Sequence, residues 1–160
     1  MNMNFGPRGS VQIDDARIIF RNLEGRGGVY NREGDRSFAL VVPDDTAREA
    51  LIEAGYNVRV KPPREGYEDD GPLMYLPIKV KFSDGRGPHI YLRSGRNQRE
   101  LTENTVGLID NISIASVDLD IHQYNWTVQG KTGVAAYLSS MRVTQNVDRF
   151  AEDTPEEAPF

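Results

Sequence analysis

Residues 117–138 read VDLDIHQYNWTVQGKTGVAAYL and indicate the class of fold. Apolar and polar residues alternate from Val117 to Ile121, which is the period of a half-buried β-strand. The glycine-rich segment 129–133 has the composition of a tight turn, and the alternation resumes from Val134 to Leu138. We therefore predict a β-hairpin near the end of the chain.

Similar alternation predicts further strands along the chain, near residues 11–21, 37–42, 56–61, 76–82 and 89–93. In the first of these, the period places Ala16, Ile18 and Phe20 on the buried side. Two short helices are predicted. One covers Thr46–Ala54, with Asp44 or Asp45 as N-cap and Gly55 as its stop, and the other runs through Asp110 with Thr102 as its cap.

Many short strands, glycine-rich turns and a helix before the final hairpin are typical of the oligonucleotide-binding (OB) barrel. We predict a mainly β, OB-fold-like antiparallel Greek-key barrel with two short helices. Residues 56–93 then form an elaborated third strand or an inserted hairpin.

The charge of the chain is unevenly distributed. The 160 residues carry a net charge of −5, but residues 148–160 hold five acids and one base, and the remainder holds 19 acids and 18 bases. We predict a flexible N-terminus over 1–10, one domain over 11–146 and a disordered acidic tail over 147–160. Of the 19 basic residues 15 are arginine, which favours the recognition of phosphates and flat rings.

Composition excludes several kinds of site. Without cysteine there can be no disulfide, thiolate zinc site or thiol nucleophile, and His89 and His122 are the only imidazoles. No apolar run reaches the roughly 20 residues of a membrane span, and the start of the chain lacks a secretory apolar region. We expect no membrane partner and a cytoplasmic location, that of the host if the protein is viral.

Enzymatic motifs are weak. Gly130-Lys131-Thr132 matches the end of a phosphate-binding P-loop, but Asn125 stands where that motif needs its first glycine, and a hairpin turn is the better interpretation. Asp118 and Asp120 share one face of a strand without a convincing third ligand, so exposed acids explain them better than a nuclease site. We predict no catalytic residue, no cofactor and no metal.

Aromatic and basic residues occur together in several segments. Binding of single-stranded nucleic acid requires rings that stack on bases and cations that contact phosphates. The candidate nucleic-acid-binding residues are Tyr30, Arg32, Arg36, Arg59, Lys61, Lys79, Lys81, Tyr91, Arg93, Arg96, Tyr124, Trp126 and Lys131. Core packing for the rings and solvation for the arginines is the alternative interpretation.

The tail ends in an exposed aromatic beside a free carboxylate, which suits a pocket with a basic rim. Its candidate partner-binding residues are Asp153, Glu156, Glu157, Pro159 and Phe160. The alternative is an incidental acidic terminus.

A strand-rich domain followed by such a tail resembles the single-stranded-DNA-binding proteins of bacteria and tailed bacteriophages. The segments YNREGDRSF at 30–38 and YNW at 124–126, continued through GKTGV at 130–134, resemble a phage family of this kind. The resemblance implies sequence-independent binding of single-stranded DNA during phage replication or recombination. It also implies a tail that recruits replication or recombination proteins and occupies the DNA groove when DNA is absent.

Two further hypotheses belong to other classes. A β-rich protein-interaction or virion structural module without nucleic-acid binding could use the same fold, and a small metal-dependent nuclease could use the paired aspartates. Oligomeric state is left open by the sequence.

Overall fold

The computed structural model of the protein describes residues 1–83 and 87–147. These ranges contain one α-helix, α1 (Asp45–Glu53), and 3₁₀ helices at Pro7–Gly9, Glu68–Asp70 and Val106–Asn111. The strands are β1 (Asn2–Phe5), β2 (Val11–Ala16), β3 (Ile18–Asn22), β4 (Arg36–Val41), β5 (Arg59–Lys61), β6 (Leu73–Val80), β7 (His89–Ser94), β8 (Asn97–Leu101), β9 (Ile114–Val128) and β10 (Lys131–Gln145). No helix in the described ranges is long and apolar enough to cross a bilayer.

The strands form one open, mixed sheet. Its main path runs β1-β2-β9-β10-β6-β4-β3, while β5 pairs with β6, and β7 pairs with both β10 and β8. Neighbours are antiparallel except for β10 with β6 and β10 with β7, which are parallel. The predicted mainly β fold is confirmed. The parallel pairings were not predicted, because alternation along a strand does not indicate the direction of its neighbour.

The long β9–β10 hairpin organises the sheet. Register runs from Lys131 opposite Val128 to Gln145 opposite Ile114. The turn residues Gln129 and Gly130 both have positive φ, at 51° and 77°, as a two-residue hairpin turn of type I′ requires. The predicted hairpin is therefore confirmed, and its turn falls at the predicted glycine.

Helix α1 forms as its sequence predicts. The Asp44 side chain accepts a hydrogen bond of 2.8 Å from the Ala47 N–H, and Gly55 takes a φ of 106° after the last turn. The next residue, Tyr56, is buried and donates its hydroxyl to the Gly9 carbonyl at 2.6 Å. Burial raises the pKa of Tyr56 to about 12. These contacts attach α1 and the N-terminal segment to each other.

Three segments differ from the sequence expectation. Within the expected flexible lead-in, β1 pairs with β2, with Met3 opposite Ile13. The expected second helix is a 3₁₀ helix, Val106–Asn111, rather than a longer segment starting at Thr102. Beyond the strand expected near 89–93, where no further strand was predicted, β8 pairs with β7. In each case the strand or turn is short, so its periodicity in the sequence is weak.

The prediction that Phe20 lies in the core is wrong. Its side chain is 55% exposed, whereas Ala16 is buried as expected and Ile18 packs against the core. A bulge in β3 between Ile19 and Asn22 breaks the alternation, so the residues that follow Ile19 do not keep the predicted face.

Candidate nucleic-acid interface

One row of side chains crosses the outer face of the four central strands. In register across β4, β6, β10 and β9 are Ser37, Lys79, Tyr137 and His122. The row beside it, Phe38, Ile78 and Ala136, is buried. Successive residues of a strand point to opposite faces, so the first row lies on the solvent side of the sheet.

Two adjoining cavities lie on this face. One, of about 500 Å³, lies between the segment 31–36 and the side chains of Lys79, Lys81, Phe82 and Tyr137. The other, of about 530 Å³, is lined by Lys81 and Tyr137 together with His122, Tyr124 and Pro88 among others. Because both cavities are lined by Lys81 and Tyr137, they adjoin and make up one site. We call it the central groove and define it by Arg32, Arg36, Lys79, Lys81, Tyr124 and Tyr137.

The cations of the central groove differ in how firmly they are held. Arg36 is anchored: its Nε donates to the Leu23 carbonyl at 3.0 Å, its Nη1 lies 3.3 Å from a Glu103 carboxylate oxygen, and its guanidinium lies 5.5 Å from the centre of the Phe82 ring. Arg32 makes a looser pair with Asp35 at 3.6 Å, and both are exposed. An anchored cation and a loosely paired one together can neutralise an anion without a rigid fit.

Lys79 and Lys81 supply the central charge. Both are exposed, and within the described part of the chain neither makes an ion pair. An exposed ammonium is a compact point charge that contacts phosphate without demanding one geometry. The two lysines are therefore suited to a flexible polyanion.

A cluster of rings lies at the other end of the central groove. Tyr124 is 54% exposed and meets Tyr137 edge to face, with ring centres 5.3 Å apart. Tyr137 also stacks on His122 at 6.0 Å, and His122 Nδ1 lies 2.6 Å from the Ser139 hydroxyl. Tyr137 is absent from the predicted set. Its position between Ala136 and Leu138, both predicted to be buried, was the signal that could have found it.

Beyond the rings, β9 and β10 continue as an arm, residues 124–135. The pairing of β2 with β9 ends at Ile121 and that of β6 with β10 begins at Ala136, so between these limits the two strands pair only with each other. Trp126 is 37% exposed and lies across Gly133, where any Cβ would overlap the indole ring. Lys131 is exposed at the start of β10. The arm thus presents a flat ring and a cation beside the groove.

The base of the arm is braced from its opposite face. Gln123, whose side chain points away from Tyr124, donates an amide hydrogen to the carbonyl of Ala54 at the end of α1. The same side chain packs against Gly9, where a Cβ would collide with it, and lies close to Gly55. The brace explains how a two-stranded arm keeps a defined orientation relative to the groove.

The loop 25–35 borders the groove on the other side. The Asn31 side chain donates to the carbonyls of Arg26, Arg32 and Asp35, so the loop is held by its own hydrogen bonds. Tyr30 is fully exposed at the tip and does not line the groove. Its ring is available to a ligand that extends beyond the groove.

The remaining predicted residues lie elsewhere. Arg59 and Lys61 are exposed on β5, beside the far end of β6. Tyr91 lines a separate small cavity with Asp118 and Arg142, and Arg93 and Arg96 extend along the β7–β8 hairpin. The tail residues Asp153, Glu156, Glu157, Pro159 and Phe160 lie outside the described residues.

The paired aspartates Asp118 and Asp120 make contacts with the neighbouring strands of the sheet. Burial alone would raise the pKa of Asp118, but a hydrogen bond from the Asp15 N–H at 2.9 Å and an ion pair with Arg142 at 2.7 Å outweigh it, and the pKa is lowered. Asp120 accepts a hydrogen bond from Ser140 at 3.3 Å. No group of three or more potential metal ligands occurs within residues 1–83 and 87–147.

The sequence matches a known family of nucleic-acid-binding domains. The model of the phage ssDNA-binding domain family matches residues 3–157, and the chain belongs to this family. No curated protein matches the sequence.

The fold is also similar to solved structures. The single-stranded DNA-binding protein of bacteriophage Enc34 in complex with ssDNA is 15% identical, with a TM-score of 0.57 over 93% of each chain. Another structure of that protein is 14% identical, with a TM-score of 0.57 over 99% of this chain and 93% of the other. At this identity the likeness concerns the fold.

Proposed function

We propose that the protein binds single-stranded DNA without sequence preference, through the central groove and the arm. The observation that carries the proposal is that the lysines Lys79 and Lys81 and the ring of Tyr124 line the same groove. Trp126 lies two residues beyond Tyr124 on the same face of β9 and is 37% exposed. Stacking on each ring contributes about 1–3 kcal/mol per base and tolerates any base. Family membership and the fold support the same function.

The test is fluorescence anisotropy with labelled oligo-dT and with a duplex of the same length. We expect the full chain to prefer oligo-dT, with a plot of log affinity against log salt falling by about 0.7 for each phosphate contacted. Replacing Lys79 and Lys81 by Gln should weaken binding and flatten that slope by about 0.7 for each phosphate that the variant no longer neutralises.

The matched control is Arg8→Gln. Arg8 is exposed in the 3₁₀ helix next to Gly9, on the Gln123 side of the arm, away from the groove. Its loss should leave affinity and slope close to those of the unchanged protein. Binding to neither single strand nor duplex would refute the proposal and favour a protein-interaction or virion role, and magnesium-dependent cleavage would favour a nuclease.

We further propose that this activity serves phage DNA replication or recombination, and that the acidic tail recruits partner proteins and competes with DNA. The support is the composition of residues 148–160, with five acids, one base and a phenylalanine at position 160. A tethered anion has a high effective concentration at a basic groove on the same chain.

Deletion of 148–160 should therefore tighten oligo-dT binding, most at low salt, where charges are least screened. Deletion of Phe160 alone should spare DNA affinity and abolish the capture of a partner that grips the ring. Equal DNA affinity of all three proteins at two salt concentrations would refute the competition. Partner capture by the tail-less protein would refute recruitment.

A further inference from the structure

A second pair of aromatic rings lies on the solvent face of the sheet, away from the groove. Phe20 on β3 and Tyr75 on β6 meet edge to face, with ring centres 5.4 Å apart and planes at 84°. Phe20 is 55% exposed and Tyr75 is half-buried. Large rings without a cover are costly in water, so an exposed pair calls for an explanation.

The backbone holds Phe20 in an unfavourable conformation. The bulge in β3 sets Phe20 and Arg21 opposite the single residue Phe38, and Phe20 takes a φ of 53°. In bulges this left-handed position is typically glycine, and a bulky residue there is an outlier. Arg21 points the other way, donating to the carbonyls of Ile109 and Ile112 at 2.6 and 2.9 Å. The bulge thus directs the Phe20 ring outwards at the cost of local strain.

The pair lies on the same face as the central groove. On β6, Tyr75, Pro77 and Lys79 alternate with the buried residues Leu76 and Ile78. Tyr75 lies four positions before Lys79 on the strand, a distance of about 13 Å at about 3.3 Å per residue. A single strand of DNA that lies on Lys79 can reach Tyr75 within a few nucleotides.

A cation accompanies the rings. Arg59 on β5 is the register partner of Tyr75, and it is exposed. A ring for the base and a guanidinium for the neighbouring phosphate are the two elements that bind a nucleotide of single-stranded DNA. A purely apolar protein contact would not require the cation.

We propose that Phe20 and Tyr75, with Arg59 beside them, form a second base-stacking site for the DNA strand that occupies the central groove. The proposal rests on the proposed function and extends it. The DNA follows the outer face of β6 from the groove to this pair.

Phe20→Gly tests the site without damaging the fold. Glycine adopts a φ of 53° at no steric cost, and this relief of strain opposes the loss of the packing of the ring, so the variant should remain folded, which thermal denaturation checks. Its affinity for oligo-dT of about 16 nucleotides should fall about 5- to 150-fold, which is the loss of one stack of about 1–3 kcal/mol. Oligo-dT of about 4 nucleotides, which fills the groove alone, should bind nearly as before.

The matched control is Phe5→Ala. Phe5 is 44% exposed on β1, at the opposite end of the sheet path, and its loss should leave the affinity for both oligonucleotides within twofold. Tyr75→Phe, which keeps the ring, should bind like the unchanged protein, while Tyr75→Ala should lose affinity for the longer oligonucleotide.

Unchanged affinity of Phe20→Gly for the longer oligonucleotide, or equal losses at both lengths, would overturn the second site. If the Lys79 and Lys81 variant still loses affinity in that case, the proposed function survives and only this inference fails. If the unchanged protein binds no oligo-dT, both fail. If the unchanged protein self-associates in gel filtration and Phe20→Gly abolishes this with DNA affinity intact, the pair is a protein contact and the proposal is overturned.

Discussion

Both halves of the β9–β10 hairpin are antiparallel strand pairs, but one half contributes to the core and the other is exposed. At the base, from Val117 to Ile121, alternate residues are fully buried, and neighbouring strands pair on both sides. In the arm, Tyr124, Trp126 and Val128 are exposed, and the two strands pair only with each other. One continuous pair of strands thus supplies the core at one end and the candidate binding surface at the other. The comparison teaches that substitutions at the two ends should affect different properties.

The largest expected effect is at the base. Leu119→Ala should lower the free energy of unfolding by about 2–5 kcal/mol, because the side chain is 2% exposed and its loss leaves a cavity. Val128→Ala in the arm should change it by less than about 0.5 kcal/mol. Urea denaturation of both variants measures the difference. Equal losses of stability would contradict the division between base and arm.

Trp126→Ala in the arm should reduce DNA affinity and leave stability nearly unchanged. Oligo-dT affinity should fall by about 1–3 kcal/mol through the loss of one stacking ring, while the thermal unfolding temperature stays close to that of the unchanged protein. Anisotropy and thermal denaturation measure the two quantities. If the variant unfolds, Trp126 belongs to the core after all.

Gly133→Ala tests the position of the Trp126 indole over Gly133. A Cβ at 133 would overlap the ring, and φ at this glycine is not positive, so the ring rather than the backbone should shift. We expect the emission maximum of the only tryptophan to shift and DNA affinity to fall by less than with Trp126→Ala. An unchanged emission maximum would show that the indole does not lie on Gly133.

The sequence predicted the parts of this comparison that depend on local periodicity. The hairpin, its glycine turn and helix α1 each combine a regular apolar pattern with a local turn or cap signal. The groove depends instead on β6 pairing in parallel with β10, between residues such as Lys79 and Tyr137 that lie far apart in the chain. The core position predicted for Phe20 is wrong because the β-bulge begins at this residue and breaks the alternation of faces along β3.

The smallest expected effect concerns Asp118, on the outer face of the base. Its pKa is lowered in the folded protein, so the unfolded chain binds more protons, and its contribution to stability is lost as pH falls below about 4. Asp118→Asn should lose less stability between neutral pH and pH 3 than the unchanged protein. A steeper loss in the variant would show that the sign is wrong.

The most direct test of the account is a titration of the intrinsic fluorescence of Trp126 with oligo-dT, since no other tryptophan contributes. The account predicts saturable quenching by the single strand, weakened by salt, with far less quenching by a duplex of the same length. Undiminished emission at oligo-dT concentrations that saturate an anisotropy measurement would contradict it, because DNA would then be bound away from the arm.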